Sequence, residues 1–203
     1  MSSHSENINP VFERILQRGD KEALLKQRGL AVWMTGLSGS GKTTIAIALE
    51  QLLNERGHVT QILDGDNIRV GINRDLGFSE ADREENIRRI AEVTKLFVNC
   101  GIITINCFVS PTIALRNKAK EIIGSDDFVE VFINTPFDIC EQRDVKGLYK
   151  KARAGEIKNF TGLDAPFEAP IYAFINVPTA DRNAEECAAQ ILQIIEPRIL
   201  FKS

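Results

Sequence analysis

The feature that most constrains the fold is a glycine-rich turn between an apolar run and an amphipathic segment. The run is Leu30-Ala-Val-Trp-Met-Thr35, and the turn is Gly36-Leu-Ser-Gly-Ser-Gly41-Lys42-Thr43. A continuous apolar run is typical of a parallel strand that is covered on both faces. The segment that follows, from residue 43 to 56, has helical periodicity and ends before Gly57. The pattern predicts a strand and a helix joined by a phosphate-binding loop.

The turn matches G-x-x-x-x-G-K-[ST] at every fixed position. Its glycines let backbone N–H groups converge on phosphate oxygens, and the N-terminus of the helix adds positive potential. Lys42 is predicted to reach the β- and γ-phosphates, and the Thr43 hydroxyl is predicted to bind Mg²⁺. The expected nucleotide-binding residues are Gly36, Ser38, Gly39, Ser40, Gly41, Lys42, Thr43 and Thr44. This motif alone is shared by motors, switches and small-molecule kinases.

Strand-like and helix-like segments alternate along the chain. Strands are predicted at 30–35, 58–63, 102–108, 128–134 and 171–177, with helices at 43–56, 79–99 and 183–195. Such alternation predicts an α/β P-loop NTPase fold, a three-layer sandwich with a mainly parallel five-stranded sheet and helices on both faces. We divide the chain into an N-terminal helical leader, 1–28, and a P-loop kinase domain, 29–203, in which residues 144–168 form a mobile lid.

Composition excludes several classes of protein. A net charge of −3 over 203 residues argues against a dedicated nucleic-acid binder. No run of apolar residues is long enough for a membrane span and no signal peptide is evident, so we expect a cytoplasmic protein that does not bind membranes. The four cysteines form no CxxC pair and are predicted to be reduced core residues.

Polar residues follow the second predicted strand. Asp64, Asp66 and Arg69 should lie at the carboxyl edge of the sheet, where ligands bind in open parallel sheets. A carboxylate there can orient an attacking hydroxyl or hold Mg²⁺ through water. The alternative is that the two aspartates only cap a helix that starts near Asn67.

The helix predicted at 79–99 carries two polar residues on its inward face. Arg83 and Asn86 each stand four residues before an apolar position, Ile87 and Ile90 respectively. A buried arginine needs an anion or other acceptors to offset desolvation. A bound phosphate or sulfate would supply them, and an internal carboxylate is the alternative.

Cations are concentrated between residues 146 and 158. Such a run is often a solvated helix face, but in a phosphate-loop protein it also suits a closing lid that stabilises phosphoryl transfer and excludes water. The cations are Lys146, Lys150, Lys151, Arg153 and Lys158.

Four separated blocks together resemble the adenylylsulfate kinase family over about residues 10–170. They are the phosphate-binding turn, the segment 64–79 with DGDNIR and NRDLGFS, the segment 82–89 with DREENIRR, and the segment 144–162 with DVKGLYKKARAGEIKNFTG. The family transfers the γ-phosphoryl group of ATP to the 3′-hydroxyl of adenosine 5′-phosphosulfate in sulfate assimilation, and it needs Mg²⁺.

The resemblance implies roles for individual residues. Asp66 would lie near the acceptor hydroxyl, while Arg69, Arg83 and Asn86 would hold the phosphosulfate group. An aromatic pair would sandwich the acceptor adenine, a task that suits flat rings. The pair is Phe78 and Phe160.

Further implied residues lie at the third strand and in the lid. Val109 and Ser110 match the substrate-contacting end of the strand, and Ser110 would be catalytic, although direct in-line transfer needs no covalent intermediate on it. The implied catalytic set is Lys42, Asp66, Ser110 and Lys150, with Arg153 at ATP and Lys158 at the acceptor. After Ser110, residues 112–117 depart from the family's commonest pattern. The resemblance also implies a homodimer and an ATP sulfurylase as a functional partner.

Two other functions remain open from the residues alone. One is a kinase of the same architecture that acts on another acceptor, such as a nucleoside monophosphate or a sugar acid. The other is a nucleotide-binding switch without an acceptor, although the chain has no Asn-Lys-x-Asp guanine motif.

Overall fold

The computed structural model describes residues 11–201. The strands are β1 (Leu30–Thr35), β2 (Thr60–Asp64), β3 (Ile103–Cys107), β4 (Phe128–Asn134) and β5 (Ile175–Pro178). The helices are α1 (Arg18–Leu25), α2 (Lys42–Glu55), α3 (Gly65–Arg69), α4 (Glu80–Val98), α5 (Ile113–Ile123), α6 (Phe137–Arg143), α7 (Leu148–Arg153) and α8 (Ala184–Ile199).

The five strands form one parallel sheet in the order β2-β3-β1-β4-β5. The chain crosses from β1 to the β2–β3 side and then returns to the β4–β5 side. The order therefore reverses at β1, and in such sheets a ligand crevice opens beyond the carboxyl end of the strand at the reversal. The phosphate-binding loop follows that strand directly.

Helices cover both faces of the sheet, which confirms the predicted three-layer sandwich. Along β1, side chains alternate between faces: Val32 and Met34 join the core layer with α2 and α8, whereas Ala31 and Trp33 join the layer with α4 and α5. The Trp33 ring is fully buried, and its centroid lies 5.7 Å from those of Phe108 and Phe128. These packed layers hold the carboxyl edge of the sheet rigid.

Local signals in the sequence place most helix and strand boundaries. The Ser79 side chain accepts the backbone N–H of Asp82 and starts α4, and Asn183 caps α8 in the same way through Glu186. The predicted strand at 128–134 is confirmed residue for residue. The fifth strand is shorter than predicted, since Ile171 and Tyr172 are exposed.

In the described part of the predicted leader, residues 11–28, the α-helix spans Arg18–Leu25. Residues 12–14 form a 3-10 turn, and α1 starts only after Gln17, whose backbone N–H donates to the Asp20 carboxylate in a capping box. Residues 1–10 of the leader lie outside the described part of the chain. The buried side chain of Gln27 ties the leader to the sheet layer, since it bonds to both backbone groups of Val59 and to the carbonyl of Gly101.

All four cysteines are free thiols, as predicted. Three are buried, but the prediction that all four belong to the core is wrong for Cys100, which is exposed just after the end of α4. None of the helices described between residues 11 and 201 combines the length and the hydropathy needed to span a membrane.

Candidate active site

A single cleft of about 970 Å³ crosses the carboxyl edge of the sheet, between the phosphate-binding loop and the lid. It brings together most of the predicted site residues from separate elements. From the loop and α2 these are Ser38, Gly39, Ser40, Gly41, Lys42, Thr43 and Thr44; from the other elements they are Asp66, Arg69, Phe78, Arg83, Asn86, Val109, Ser110, Lys158 and Phe160. Gly36, Lys150 and Arg153 do not line it.

The phosphate-binding loop follows a path that only glycine can take at two positions. A Cβ atom at Gly36 would lie 2.7 Å from the carbonyl oxygen of Ile133. At Gly39, where φ is +74°, a Cβ atom would lie 2.8 Å from the carbonyl oxygen of Cys140. Gly36 therefore makes the path of the loop possible, although it does not line the cleft. The backbone N–H groups of the residues that follow it are available to a ligand.

The Lys42 side chain is folded into the loop. Its ammonium group donates to the carbonyl oxygens of Gly36 and Leu37, at 3.0 and 2.7 Å, and to the Ser40 hydroxyl at 3.4 Å. The pKa of Lys42 is lowered to about 8, mainly by burial and to a smaller extent by the cation Lys146, whereas Cys107, Cys140 and Asp64 oppose the shift. A phosphate anion in the loop would restore the stability of the charged form.

Thr43 and Asp64 supply adjoining oxygen atoms at the start of α2. The Thr43 hydroxyl donates to Oδ2 of Asp64 at 2.8 Å. The other carboxylate oxygen of Asp64 accepts the backbone N–H of Asp66 at 3.0 Å and caps α3. Asp64 thus caps the helix, and its second oxygen and the Thr43 hydroxyl form a pair of hard oxygen ligands of the kind that suits Mg²⁺.

Asp66 meets the lid directly. Its carboxylate forms an ion pair with the ammonium group of Lys146, and both side chains are more than half exposed. Lys146 was predicted only as one of the lid cations and not as a site residue. The contact shows that the lid reaches across the cleft to the carboxylate that stands at the end of β2.

Arg69 and Arg83 face the cleft, and no carboxylate within residues 11–201 bonds to either guanidinium group. Arg69 donates to the carbonyl oxygens of Leu76 and Gly77, at 3.1 and 2.9 Å. Arg83 donates to the carbonyls of Phe78 and Asn159 and to the Thr161 hydroxyl. Burial lowers the pKa of both guanidinium groups, and Arg83 lowers that of Arg69 further. The bonded acceptors of both groups are thus uncharged, so the alternative of an internal carboxylate bonded to Arg83 does not apply, and the two guanidinium groups suit a site for an anion.

Two predicted aromatic residues lie at this end of the cleft. Phe78 is 62% exposed, and the Arg69 guanidinium carbon is 4.3 Å from its ring centroid. Phe160 belongs to the lid and packs edge-on against Tyr149, with 4.9 Å between centroids. Both rings line the cleft, so each has a face available to a flat ligand.

Asn86 and Ser110 occupy buried positions on the cleft wall. The Asn86 amide oxygen accepts a hydrogen bond from Asn73 at 3.0 Å. Ser110 has a φ of +43°, and its hydroxyl oxygen accepts the indole N–H of Trp33 at 3.1 Å. The guanidinium of Arg116, which is paired with Glu130 at 2.6 Å, donates to the Ser110 carbonyl. Arg116 belongs to the segment 112–117, which departs from the commonest family pattern, so this segment holds the backbone of Ser110 in place.

The structure does not bring Lys150 and Arg153 into the cleft. Lys150 is exposed on α7, and Arg153 forms an ion pair with Glu141 at 2.9 Å. Sequence reasoning missed Arg143, which lines the cleft and donates to the Ser40 carbonyl at 3.3 Å, and the cluster at the start of α8. That cluster comprises Thr179, Arg182, Asn183, Ala184 and Cys187. The capping sequence at Asn183 was the one available signal, because it places a helix start next to β5.

Comparison with known proteins identifies the family of the chain. The family model described as adenylylsulphate kinase matches residues 28–178. The chain belongs to the adenylylsulfate kinase family. It is 60% identical over 195 residues to the adenylyl-sulfate kinase of Bacteroides fragilis, and the match covers 96% of each chain. It is 51% identical over 195 residues to that of Clostridium acetobutylicum, covering 96% of this chain and 97% of the relative.

The fold agrees with a solved adenylylsulfate kinase. The structure of the Mycobacterium tuberculosis APS kinase in complex with AMPPNP and APS superposes with a TM-score of 0.80 and 46% identity, over 83% of this chain and 98% of that chain. The protein is therefore an ATP-binding kinase of this family, as the four sequence blocks predicted.

Proposed function

We propose that the chain transfers the γ-phosphoryl group of ATP to the 3′-hydroxyl of adenosine 5′-phosphosulfate, with the two nucleotides bound at opposite ends of the one cleft. The observation that carries this proposal is the continuity of the cleft from the phosphate-binding loop to the paired guanidinium groups of Arg69 and Arg83. ATP, bound at the loop, and the phosphoryl acceptor, bound at the arginines, would meet over the carboxyl end of β1.

The donor end is built from the loop and the last strands. The N–H groups of the loop and the Lys42 ammonium hold the β- and γ-phosphates, and Arg143 stands beside the loop. We assign the adenine of ATP to the start of α8, near Arg182, because the residues there line the cleft on the side of β5. Arg153 would join the donor site only if α7 moves inward.

Magnesium is proposed at Thr43 and Asp64. Their oxygens lie 2.8 Å apart at the edge of the loop, and hard oxygen ligands suit this ion. The hydroxyl of Thr43 and the carboxylate of Asp64 would hold the ion, which would supply positive charge to offset the negative charge that develops during transfer. The carboxylate is kept in place because it caps α3.

The acceptor end orients the attacking hydroxyl. Asp66 is assigned to accept the hydrogen bond of the 3′-hydroxyl, and Lys146, now paired with it, is then released toward the transferred group. Arg69, Arg83 and Asn86 hold the phosphosulfate group. Phe78 and Phe160 stack on the adenine, while Val109, Ser110 and Lys158 complete the wall. Lys150 is proposed to enter on lid closure.

The direct test is ADP formation with Mg-ATP and adenosine 5′-phosphosulfate. No ADP above the rate without acceptor would contradict the proposal. Replacing Phe78 by Ala should weaken binding of the acceptor by about 1–3 kcal/mol, as expected for the loss of one base-stacking ring, and should leave ATP binding unchanged. A kinase for a sugar acid would be indifferent to that substitution.

We also propose that the chain forms a homodimer and works with an ATP sulfurylase that supplies its acceptor. Apolar side chains that are exposed outside the cleft, among them Leu16, Leu24 and Tyr172, are available for an interface between copies. Sedimentation of the purified protein would contradict the dimer if a single monomeric species persisted at micromolar concentration.

A further inference from the structure

The Asn73 side chain is fully buried in the segment between α3 and α4. Its amide nitrogen donates to the amide oxygen of Asn86 at 3.0 Å. Its own amide oxygen has no hydrogen-bond partner within residues 11–201. Asn73 does not line the cleft, whereas Asn86 does. The Asn73 side chain therefore reaches the cleft through Asn86, the residue to which it donates.

Stability alone does not explain an amide at this position. A buried carbonyl oxygen without a partner loses the hydrogen bonds it makes to water in the unfolded chain. An apolar side chain of similar size, such as Leu, would avoid that loss. The one contact that requires an amide at residue 73 is the donation to Asn86.

That contact decides which end of the Asn86 amide remains for a ligand. A carboxamide has an acceptor oxygen and a donor nitrogen. Because Asn73 engages the oxygen, the nitrogen of Asn86 is the group left for the cleft, next to Arg69 and Arg83. A donor is what an anion requires at this point, whereas the oxygen would repel it.

The segment that carries Asn73 is firmly held. Arg89, on α4, makes two hydrogen bonds to the carboxylate of Asp75, at 2.7 and 2.9 Å, and a third to the carbonyl of Ile72. The backbone N–H of Asn73 donates to the carbonyl of Ile68 at 3.0 Å. The donor of Asn73 thus has a fixed position relative to α4, and the Asn86 amide cannot turn over without losing its partner.

We propose that Asn73 is a positioning residue that fixes the Asn86 amide with its nitrogen directed at the anionic group of the acceptor. This inference rests on the proposed function, since it takes the phosphosulfate end of the acceptor as the anion beside Asn86. It adds a residue outside the cleft to the determinants of acceptor binding.

The test is acceptor affinity in Asn73→Asp and Asn73→Leu, measured by calorimetry with MgADP in place. An ionised Asp at residue 73 can only accept, so it turns the Asn86 nitrogen inward and presents the oxygen to the anion. At pH 9 we expect Asn73→Asp to bind adenosine 5′-phosphosulfate about ten- to a hundredfold more weakly, the range for a lost hydrogen bond to a charged group. At pH 5.5 the protonated carboxyl can donate again, and most of the affinity should return.

Asn73→Leu leaves the Asn86 amide free to turn over, so we expect a smaller loss, about threefold, at both pH values. Affinity for MgADP and for adenosine, which lacks the anionic group, should not change in either variant. Asn54→Asp, which introduces the same charge at an exposed position on α2, is the matched control.

A double-mutant cycle separates positioning from a structural role. In an Asn86→Ala background, Asn73→Asp should cause no further loss of acceptor affinity. Loss in that background, a parallel loss of MgADP affinity, or unchanged acceptor affinity of Asn73→Asp at pH 9 would overturn the inference. Failure of the unsubstituted protein to bind the acceptor would instead overturn the proposed function, and the inference with it.

Discussion

The Tyr149 hydroxyl donates a 2.9 Å hydrogen bond to the carbonyl oxygen of Ser38, so a buried residue of the lid holds the phosphate-binding loop. The same ring packs edge-on against Phe160, the proposed stacking residue of the acceptor site, and against Phe137. The Tyr149 side chain therefore contacts both the phosphate-binding loop, which is proposed to bind ATP, and Phe160, which is proposed to bind the acceptor.

Removing only this hydroxyl should affect the donor site. In Tyr149→Phe the ring contacts remain but the Ser38 carbonyl loses its partner, so we expect a loss of about 1 kcal/mol in stability and a KM for ATP raised about threefold to tenfold. The KM for the acceptor should stay nearly constant. Steady-state kinetics with each substrate varied in turn measures both. Tyr172→Phe, at a residue 93% exposed, is the control, and an equal rise in both KM values would argue against a contact specific to the loop.

Substitution of Asp64 by Asn tests the proposed magnesium site. Asn caps helices as well as Asp does, so α3 should persist while the charge near Thr43 is lost. We expect the Mg²⁺ concentration for half-maximal activity to rise about ten- to a hundredfold. Titration of activity with Mg²⁺ at saturating ATP measures this. Asp126→Asn, at an exposed site, should leave the curve in place, and an unchanged curve for Asp64→Asn would remove Asp64 from the site.

The affinity for ATP should depend on pH through Lys42. Burial lowers the pKa of the free protein's ammonium group to about 8, and the phosphates of bound ATP raise it again. The favourable contribution of the charged form is thus fully present below pH 8 and is lost as the pH rises through the pKa of the complex. Calorimetry should show weaker binding of ATP at pH 9 than at pH 7, with proton uptake at pH 9.

Lys42→Arg separates this effect from other titrations. A guanidinium group stays charged across the range, so proton uptake at pH 9 should disappear even if affinity is reduced overall. Persistent uptake in this variant would assign the titration to another group.

The leader should contribute to stability without affecting catalysis. Gln27 is fully buried, and its amide bonds to Val59 and Gly101 at 2.7–2.9 Å. Replacing it by Ala leaves backbone groups without partners, so we expect the free energy of unfolding to fall by about 1–3 kcal/mol with kcat unchanged. Urea unfolding measures the change. Gln51→Ala, on the exposed face of α2, should have little effect, and a matching loss there would show that the contacts of Gln27 are not the cause.

Features encoded by neighbouring residues could be predicted from the sequence. The loop from Gly36 to Thr43, the cap at Ser79 and the strand at 128–134 depend on local patterns, and the structure confirms them. The inward face of α4 was also predictable, because Arg83 and Asn86 follow the period of its apolar stripe. Their roles toward ligands remain predictions.

Contacts between distant segments could not be predicted in the same way. The pairing of Lys146 with Asp66 joins residues 80 positions apart, and no local pattern specifies it. Arg83 was expected to need an anion or other acceptors, but the sequence did not indicate which: two of its acceptors, the Asn159 carbonyl and the Thr161 hydroxyl, belong to the lid, 76 and 78 positions away. Asn73 lies among other polar residues of a connecting segment, and no pattern in the sequence indicates that its side chain is buried.

The two guanidinium groups of Arg69 and Arg83 repel each other in the free protein. Nearby carboxylates offset this repulsion in part, those of Asp66 and Asp82 at Arg69 and that of Asp164 at Arg83, but none of them bonds directly to either guanidinium group within residues 11–201. Small oxyanions such as inorganic sulfate can reduce that repulsion by binding between the two groups. We expect them to raise the melting temperature and to compete with the acceptor, whereas chloride at equal ionic strength should do neither. The stability of the free protein should therefore depend on which anion its buffer contains.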